Sequence, residues 1–173
     1  MKKLIYLILS CTLLMGTTWQ GIGSSEPKNA QLDLSHSNIE TTRLEFSIDG
    51  FHLIPVETPK GHMYRVTLND GASLLEEGSP DVHKYSRSII VPDQKRTQVK
   101  IISSEFVEYE DVLVAPSKGN LSRLVDPNDV PFVFGDAYES DSFFPGEIVE
   151  LGDPYVLRDL RGQTVIFNPI QYN

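Results

Sequence analysis

The chain reads RLEFSIDGFHLIPV from residue 43 to residue 56, and this stretch decides the fold class. Polar and apolar residues alternate through its first half, which places Leu44, Phe46 and Ile48 on one face of an extended chain. Asp49-Gly50 favours a tight turn, and a second apolar run follows it. The pattern predicts a β-hairpin with strands at 43–48 and 51–56.

The rest of the chain continues this pattern of short apolar runs between turn residues. No stretch shows a convincing helical period, and only 72–78 and 127–129 carry weak signals for a short helix. Further strands are predicted at 63–68, 87–91, 98–103, 106–115, 147–151, 155–157 and 163–168. Their spacing, with Gly, Pro, Asp and Asn between them, is typical of an all-β sandwich of antiparallel sheets.

The N-terminus has the composition of an export signal. Lys2 and Lys3 precede an apolar run at 4–15, and small residues follow at 16–18. The run is too short to cross a bilayer, so no stable membrane span is expected. We expect a signal peptide at residues 1–19 and secretion to the periplasm or the cell exterior. Residues 20–40 are polar and predict a flexible leader, which leaves 41–173 as the folded domain.

Charge and cysteine content exclude several functions. The formal net charge is −9, and loss of the signal would remove two lysines and no acidic residue, so nucleic acid is not expected as a partner. The only cysteine, Cys11, lies within the signal, so the exported chain would have neither a disulfide nor a thiol nucleophile. Lipidation of Cys11 is a less favoured alternative, because the apolar run continues past it.

No arrangement of catalytic or metal-binding residues is convincing. The cluster Ser79-Pro80-Asp81-Val82-His83 contains the residue types of a hydrolase, but neighbours on an extended chain point in alternating directions and cannot form a relay. The four histidines lack the spacing of zinc ligands. Calcium binding near Asp136–Asp141 stays open, with a solvated loop as the ordinary interpretation. We therefore expect no enzymatic activity and no cofactor.

One loop stands out, LSRLVDPNDVPFVFG at residues 121–135. It places a single arginine, Arg123, in a segment that contains Pro127 and Pro131. Proline restricts the backbone, and a stiff loop of this kind can enter a pocket of another protein. From the residues alone, a solvated surface arginine is the ordinary interpretation.

Five motifs follow one another along the second half of the chain: APSKG at 115–119, the loop at 121–135, FFPGEI at 143–148, LRDLRGQ at 157–163 and NPIQYN at 168–173. In this order they resemble the N-terminal propeptide of the gingipains, secreted cysteine endopeptidases that cleave after Arg or Lys. The resemblance runs from about Ile39 to the end of the chain. It implies a jelly-roll-like β-sandwich, with Gly78 and Pro80 as structural residues of a turn.

The resemblance also implies a role for Arg123. In propeptides of the Arg-specific type an arginine stands three residues before an Asp-Pro pair, and in the Lys-specific type a lysine stands there. Here Arg123 precedes Asp126-Pro127 in the same way. The implied inhibitory loop is 118–131, and its site residues are Ser122, Arg123, Leu124, Asp126 and Pro127. Its implied partner is the catalytic domain of an Arg-specific gingipain-like cysteine peptidase, which the chain would inhibit and help to fold.

Two other interpretations remain open. The chain is either a secreted β-sandwich that binds protein or glycan, or a non-functional remnant of a gingipain precursor, if Arg123 has no inhibitory role. In the family the motif ending in Gln171-Tyr172-Asn173 is followed by further strand-forming sequence. We therefore expect the C-terminal end of the domain to be incomplete.

Overall fold

The computed structural model describes residues 16–173, and strands dominate it. Residues 1–15, which hold most of the predicted signal peptide, lie outside the described residues. The strands are β1 (Thr18–Gly21), β2 (Gln31–Ser37), β3 (Thr42–Ser47), β4 (Gly50–Thr58), β5 (Gly61–Thr67), β6 (Ala72–Ser73), β7 (His83–Ile90), β8 (Val149–Leu151), β9 (Tyr155–Leu157) and β10 (Leu160–Phe167). Two short 3-10 helices span Pro127–Asp129 and Asp136–Tyr138. The predicted all-β fold is confirmed.

Residues 16–173 form three antiparallel sheets. The first has the order β1-β4-β5, and the second has the order β6-β7-β10-β8, with β9 also paired to β10. The third contains only β2 and β3. Strand β5 continues the first sheet through single parallel bridges to Val114 and Val82. These bridges hold the segments around Val82 and Val114 against the first sheet, and the chain runs from the second of these segments into the 121–135 loop.

Two apolar clusters hold the sheets together. One lies on the first sheet and contains Phe51, Leu53, Val66, Leu68, Val82 and Val114, all buried. The other joins the second and third sheets, where Phe46 of β3 stacks on Phe167 of β10 with ring centroids 4.5 Å apart. Because the two-stranded sheet covers an apolar face of the second sheet, it shields that face from water.

The predicted hairpin of 43–48 with 51–56 is wrong. Strand β3 pairs with β2, whereas β4 pairs with β1 and β5, so Asp49-Gly50 connects two different sheets. The Asp49 carbonyl accepts the N–H groups of Ile22 and Gly23 at 2.8 and 3.1 Å, so β1 and the residues after it occupy the place of the expected partner strand. The Trp19 ring packs directly against Gly50, where a Cβ would collide with it.

Two further expectations differ from the structure. Residues 20–40 are not all a flexible leader, because β2 lies within them and pairs with β3. Its polar composition reflects a strand that is exposed at every residue except Leu32, which packs against the cluster around Phe46 and Phe167. The strands predicted at 98–103 and 106–115 do not form, apart from the single bridge at Val114. Residues 72–78 form no helix, whereas 127–129 do. No helix within residues 16–173 is long and apolar enough to cross a bilayer.

Candidate functional site

Arg123 lies at the tip of a tight turn. The Val125 N–H donates to the Ser122 carbonyl at 3.0 Å, which makes Arg123 and Leu124 the two central residues of a four-residue turn, here called the Arg123 turn. Leu124 is 95% exposed, and Arg123 is also exposed. Within residues 16–173 the guanidinium has no hydrogen-bond or ion-pair partner. The turn therefore presents an arginine and an apolar side chain to solvent.

A capped 3-10 helix follows the turn and fixes its downstream end. The Asp126 side chain accepts the Asn128 N–H at 2.8 Å, and the Asp126 carbonyl accepts the Asp129 N–H at 3.0 Å. Pro127 occupies the first helical position, where its missing N–H is not needed and its fixed φ suits the helix. Asp126 and Pro127 thus have a structural task in holding the turn.

Lys118 ties the two ends of the loop together. Its Nζ donates to the Pro127 carbonyl at 2.7 Å and lies 4.2 Å from the centre of the Phe132 ring. Lys118 and Arg123 are the only basic residues between Lys100 and Arg158. One of these two cations is therefore bound inside the loop, and the other points outward.

The base of the loop is bound to a buried segment of the core. Ser117 is buried, donates its N–H to the Ser79 carbonyl at 2.8 Å and accepts the Gly78 N–H at 3.0 Å. The Gly135 N–H donates to the Gly78 carbonyl at 2.9 Å, so the chain returns to the same point after the loop. Gly78 has φ +80°, a left-handed conformation that glycine adopts without strain. Pro80 is fully buried beside it.

The residues that resemble a hydrolase cluster do not form a relay. Ser79 Oγ lies 3.1 Å from a Glu76 carboxylate oxygen, and Asp81 pairs with Arg65. His83 Nδ1 accepts the Leu68 N–H at 3.1 Å, and burial lowers the pKa of His83, an effect that Asp81 partly opposes. Each of the three side chains is therefore committed to a different partner.

The acidic residues near the second 3-10 helix lie apart from the loop tip. Asp136 begins that helix, and Asp141 accepts a hydrogen bond from the Asn173 amide at 3.2 Å. Among residues 16–173 no group of three or more His, Cys, Asp or Glu side chains is arranged to hold a metal ion. Tyr138 of the same helix donates to the Val114 carbonyl at 2.9 Å, and burial raises the pKa of this phenol. Tyr138 therefore supports the core at Val114, whereas the two aspartates are exposed.

Sequence reasoning predicted Arg123, Asp126 and Pro127 as site residues, and it did not predict the hydrogen bonds of Lys118 and Ser117 that hold the loop. The sequence signal that points to Lys118 is its isolation, because it and Arg123 are the only basic residues between Lys100 and Arg158. The structure brings Ser122, Asp126 and Pro127 together around the turn, whereas Leu124 makes no apolar contact that would bury it. The loop is therefore held by hydrogen bonds on both sides of an exposed Arg123 side chain.

Comparison with known proteins relates this chain to the propeptides of peptidases. The family model Propeptide_C25 matches residues 23–173. The chain therefore belongs to the Propeptide_C25 family, and the match is to a propeptide and not to a catalytic domain.

Curated relatives that match the chain include gingipains of Porphyromonas gingivalis. Gingipain R1 is 40% identical over 174 residues, which cover 100% of this chain and 10% of the relative. Gingipain R2 is 41% identical over 146 residues, which cover 84% of this chain and 20% of the relative. Lys-gingipain is 26% identical over 180 residues. The chain thus spans only a tenth to a fifth of the length of the curated relatives it matches.

Two solved structures share the fold. A complex of the pro- and mature domains of RgpB from Porphyromonas gingivalis matches with a TM-score of 0.80 and 41% identity, over 84% of this chain and 77% of that one. A structure described as giving insight into the zymogenic latency of gingipain K, from the same organism, matches with a TM-score of 0.72 over 91% of this chain and 88% of that one. At 24% identity the second match supports the fold alone.

Proposed function

We propose that this chain inhibits an Arg-specific, gingipain-like cysteine peptidase by inserting the Arg123 turn into its active site. The proposal rests on a contrast within one loop. Hydrogen bonds hold its base, its downstream helix and Lys118, whereas Arg123 is exposed and has no hydrogen-bond or ion-pair partner among the described residues. A side chain of this kind is available for a pocket of another protein. The family membership and the match to a pro- and mature-domain complex supply the kind of partner.

The chemistry of the guanidinium defines the pocket. Arginine can form two parallel hydrogen bonds with one carboxylate, a geometry that the point charge of lysine does not reproduce. A peptidase that prefers arginine needs an acidic group at the floor of its primary pocket, and Arg123 would imitate the substrate there. Because the loop is already ordered before binding, less conformational entropy is lost when it docks.

Folding assistance follows from the same binding. A domain that binds the folded peptidase but not its unfolded chain stabilises the folded state by mass action. The β-sandwich surface beside the loop would then contact the peptidase around its cleft. In this proposal no cofactor takes part, because inhibition needs only a complementary surface and one arginine.

Secretion is part of the proposal, and it has a structural consequence. Residues 1–19 would be the signal peptide, yet Thr18 and Trp19 pair with Leu53 and His52 in β1. Cleavage before Gln20 would remove half of β1 and open that edge of β4. Intact-mass measurement of the exported protein tests this: a chain that starts near Gln20 supports the proposal, and one that starts at a lipidated Cys11 contradicts it.

Inhibition assays with matched variants test the proposed mechanism. Arg123→Ala should weaken inhibition of an Arg-specific gingipain by about 2–5 kcal/mol, because it leaves a pocket carboxylate unpaired. Arg123→Lys should recover only part of this loss. The control is Arg96→Ala, which removes another exposed arginine without an ion pair among the described residues. If the alanine variants at 123 and 96 inhibit equally well, Arg123 does not occupy the pocket.

A further inference from the structure

A long extended segment, residues 96–112, lies on the surface between β7 and the Arg123 loop and is here called the arm. The chain makes no turn or bend from residue 96 to residue 109, and every residue from 98 to 111 is exposed. No backbone group of the arm forms a hydrogen bond with any of residues 16–173. The arm therefore offers unpaired backbone N–H and C=O groups, which a strand of another chain can pair with.

Contacts at both ends hold the arm in place. Before it, Arg161 Nη1 donates to the carbonyls of Pro92, Asp93 and Lys95 at 3.0, 2.8 and 3.2 Å. After it, the Leu113 carbonyl accepts the Tyr64 N–H at 2.8 Å. Near this second end the Tyr109 ring contacts Phe51 edge-on, with centroids 5.2 Å apart. The arm is thus anchored at both of its ends.

The sequence of the arm has a two-fold pattern. Residues 99–109 read VKIISSEFVEY, and their order of apolar and polar residues is the same from either end. The centre of the pattern is Ser104. Two antiparallel copies with Ser104 opposite Ser104 would face each other with Val99 opposite Tyr109, Lys100 opposite Glu108, Ile101 opposite Val107, Ile102 opposite Phe106, and Ser103 opposite Glu105.

We propose that the arm is a dimerisation strand and that its partner is the arm of a second copy of this chain. A two-fold interface requires a surface that complements itself, and in this register every apolar residue from 99 to 109 meets an apolar residue. Lys100 of each copy meets Glu108 of the other, which gives two opposite-charge pairs. The exposed side chains that would be covered include Phe106 at 80% and Ile102 at 67% exposure.

The arm's acidic residues favour this register over its neighbours. In it no carboxylate directly faces another, because Glu105 meets Ser103, Glu110 meets Gln98 and Asp111 meets Thr97. If one copy slips by one residue along the other, Lys100 lies opposite Tyr109 and Glu108 lies opposite Ile101. Such slips bring apolar residues against charges, so the pattern selects one arrangement.

Overall charge opposes the association and sets the conditions for a test. Each chain carries a net charge of −9, so two copies repel each other at low ionic strength. Salt at about 0.15 M screens charges that lie more than about 8 Å apart, while opposed side chains in the pairing remain within that distance. Sedimentation velocity of the full chain in such a buffer, up to about 100 µM, covers the range of a weak specific interface.

Charge reversal tests the register. The parent chain should dimerise, whereas Lys100→Glu and Glu108→Lys should each weaken dimerisation at least about tenfold, because each puts like charges opposite one another at two symmetric positions. A mixture of the two variants should form a heterodimer, since the acidic arm of one then faces the basic arm of the other. The double variant, whose net charge equals that of the parent, should dimerise again.

Controls separate this proposal from others. Glu139→Lys changes the net charge as Glu108→Lys does, at an exposed site outside the arm, and should leave dimerisation intact. Arg123→Ala should dimerise like the parent, because the arm and the Arg123 turn are independent. A parent chain that stays monomeric at about 100 µM overturns the proposal and leaves the arm to a different partner. A dimer that survives either charge reversal overturns it as well.

Discussion

Replacing Lys118 with methionine should loosen the Arg123 turn while leaving the domain folded. The variant keeps most of the aliphatic side chain but removes the hydrogen bond to the Pro127 carbonyl at 2.7 Å and the cation 4.2 Å from the Phe132 ring. The anchors at Ser117 and at the Asp126 cap do not involve Lys118 Nζ and remain. The loop should therefore stay attached at its base but sample more conformations at its tip.

The size of the effect follows from these two contacts. A hydrogen bond from a charged donor contributes about 1.5–3 kcal/mol, and an exposed cation over an aromatic ring about 0.5–1 kcal/mol. Lys118 is half-exposed, so water replaces part of both interactions in the variant. We expect a net loss of about 1–2 kcal/mol in peptidase binding, or about a 5- to 30-fold rise in the inhibition constant.

A double-mutant cycle with Arg123→Ala assigns this effect to the loop. If Lys118 acts by positioning Arg123, then Lys118→Met should weaken inhibition in the parent and have little effect once Arg123 is absent. Lys118→Arg, which keeps a donor and a charge, should restore part of the inhibition. An equal effect of Lys118→Met in both backgrounds would refute the positioning role, and urea melts check that both variants remain folded.

Two other predictions concern the stability of the folded domain. Phe167→Ala should lower the free energy of unfolding by about 3–5 kcal/mol, because it removes a buried ring stacked on Phe46. As a control, Leu124→Ala should change this free energy by less than about 0.5 kcal/mol, because Leu124 is exposed. Urea unfolding midpoints measure both effects, and equal midpoints for the two variants would show that Phe167 does not stabilise the core. His83 has a lowered pKa in the folded state, so its contribution to stability is present above pH 6.5 and is lost as the pH falls below that value. Urea melts at about pH 7.5 and pH 5.5 should show a smaller difference for His83→Gln than for the parent, and an unchanged difference would refute this assignment.

The sequence predicted the fold class and most of the strands in the second half of the chain, because apolar runs there are bounded by clear turn residues. The strands at 147–151, 155–157 and 163–168 correspond to β8, β9 and β10 within a few residues. The hairpin prediction failed at Asp49-Gly50 because a turn signal shows where a chain changes direction but not which strands it then joins. Strand β2 was missed since its exposed residues resemble those of a flexible segment.

The strands predicted at 98–103 and 106–115, which do not form, have a different cause. Their residues have strand composition, but within residues 16–173 no strand pairs with them except at the end of the second segment, where Val114 forms a single bridge with Tyr64. Composition reports the conformation that a segment favours, whereas pairing depends on which neighbour the topology supplies. For the candidate site, sequence predicted the residues at the tip, while the contacts of Lys118, Ser117 and Gly78 depend on chain segments that are distant in sequence.

The central claim is that Arg123 occupies the primary specificity pocket of an Arg-specific peptidase. Competition measures this most directly: binding of the chain to the mature domain of a gingipain R is titrated with and without a small amidine or guanidine that fills the same pocket. We expect the small molecule to weaken binding of the parent chain, whereas residual binding of Arg123→Ala should not respond to it. If both chains respond equally, or if neither does, Arg123 does not enter the pocket.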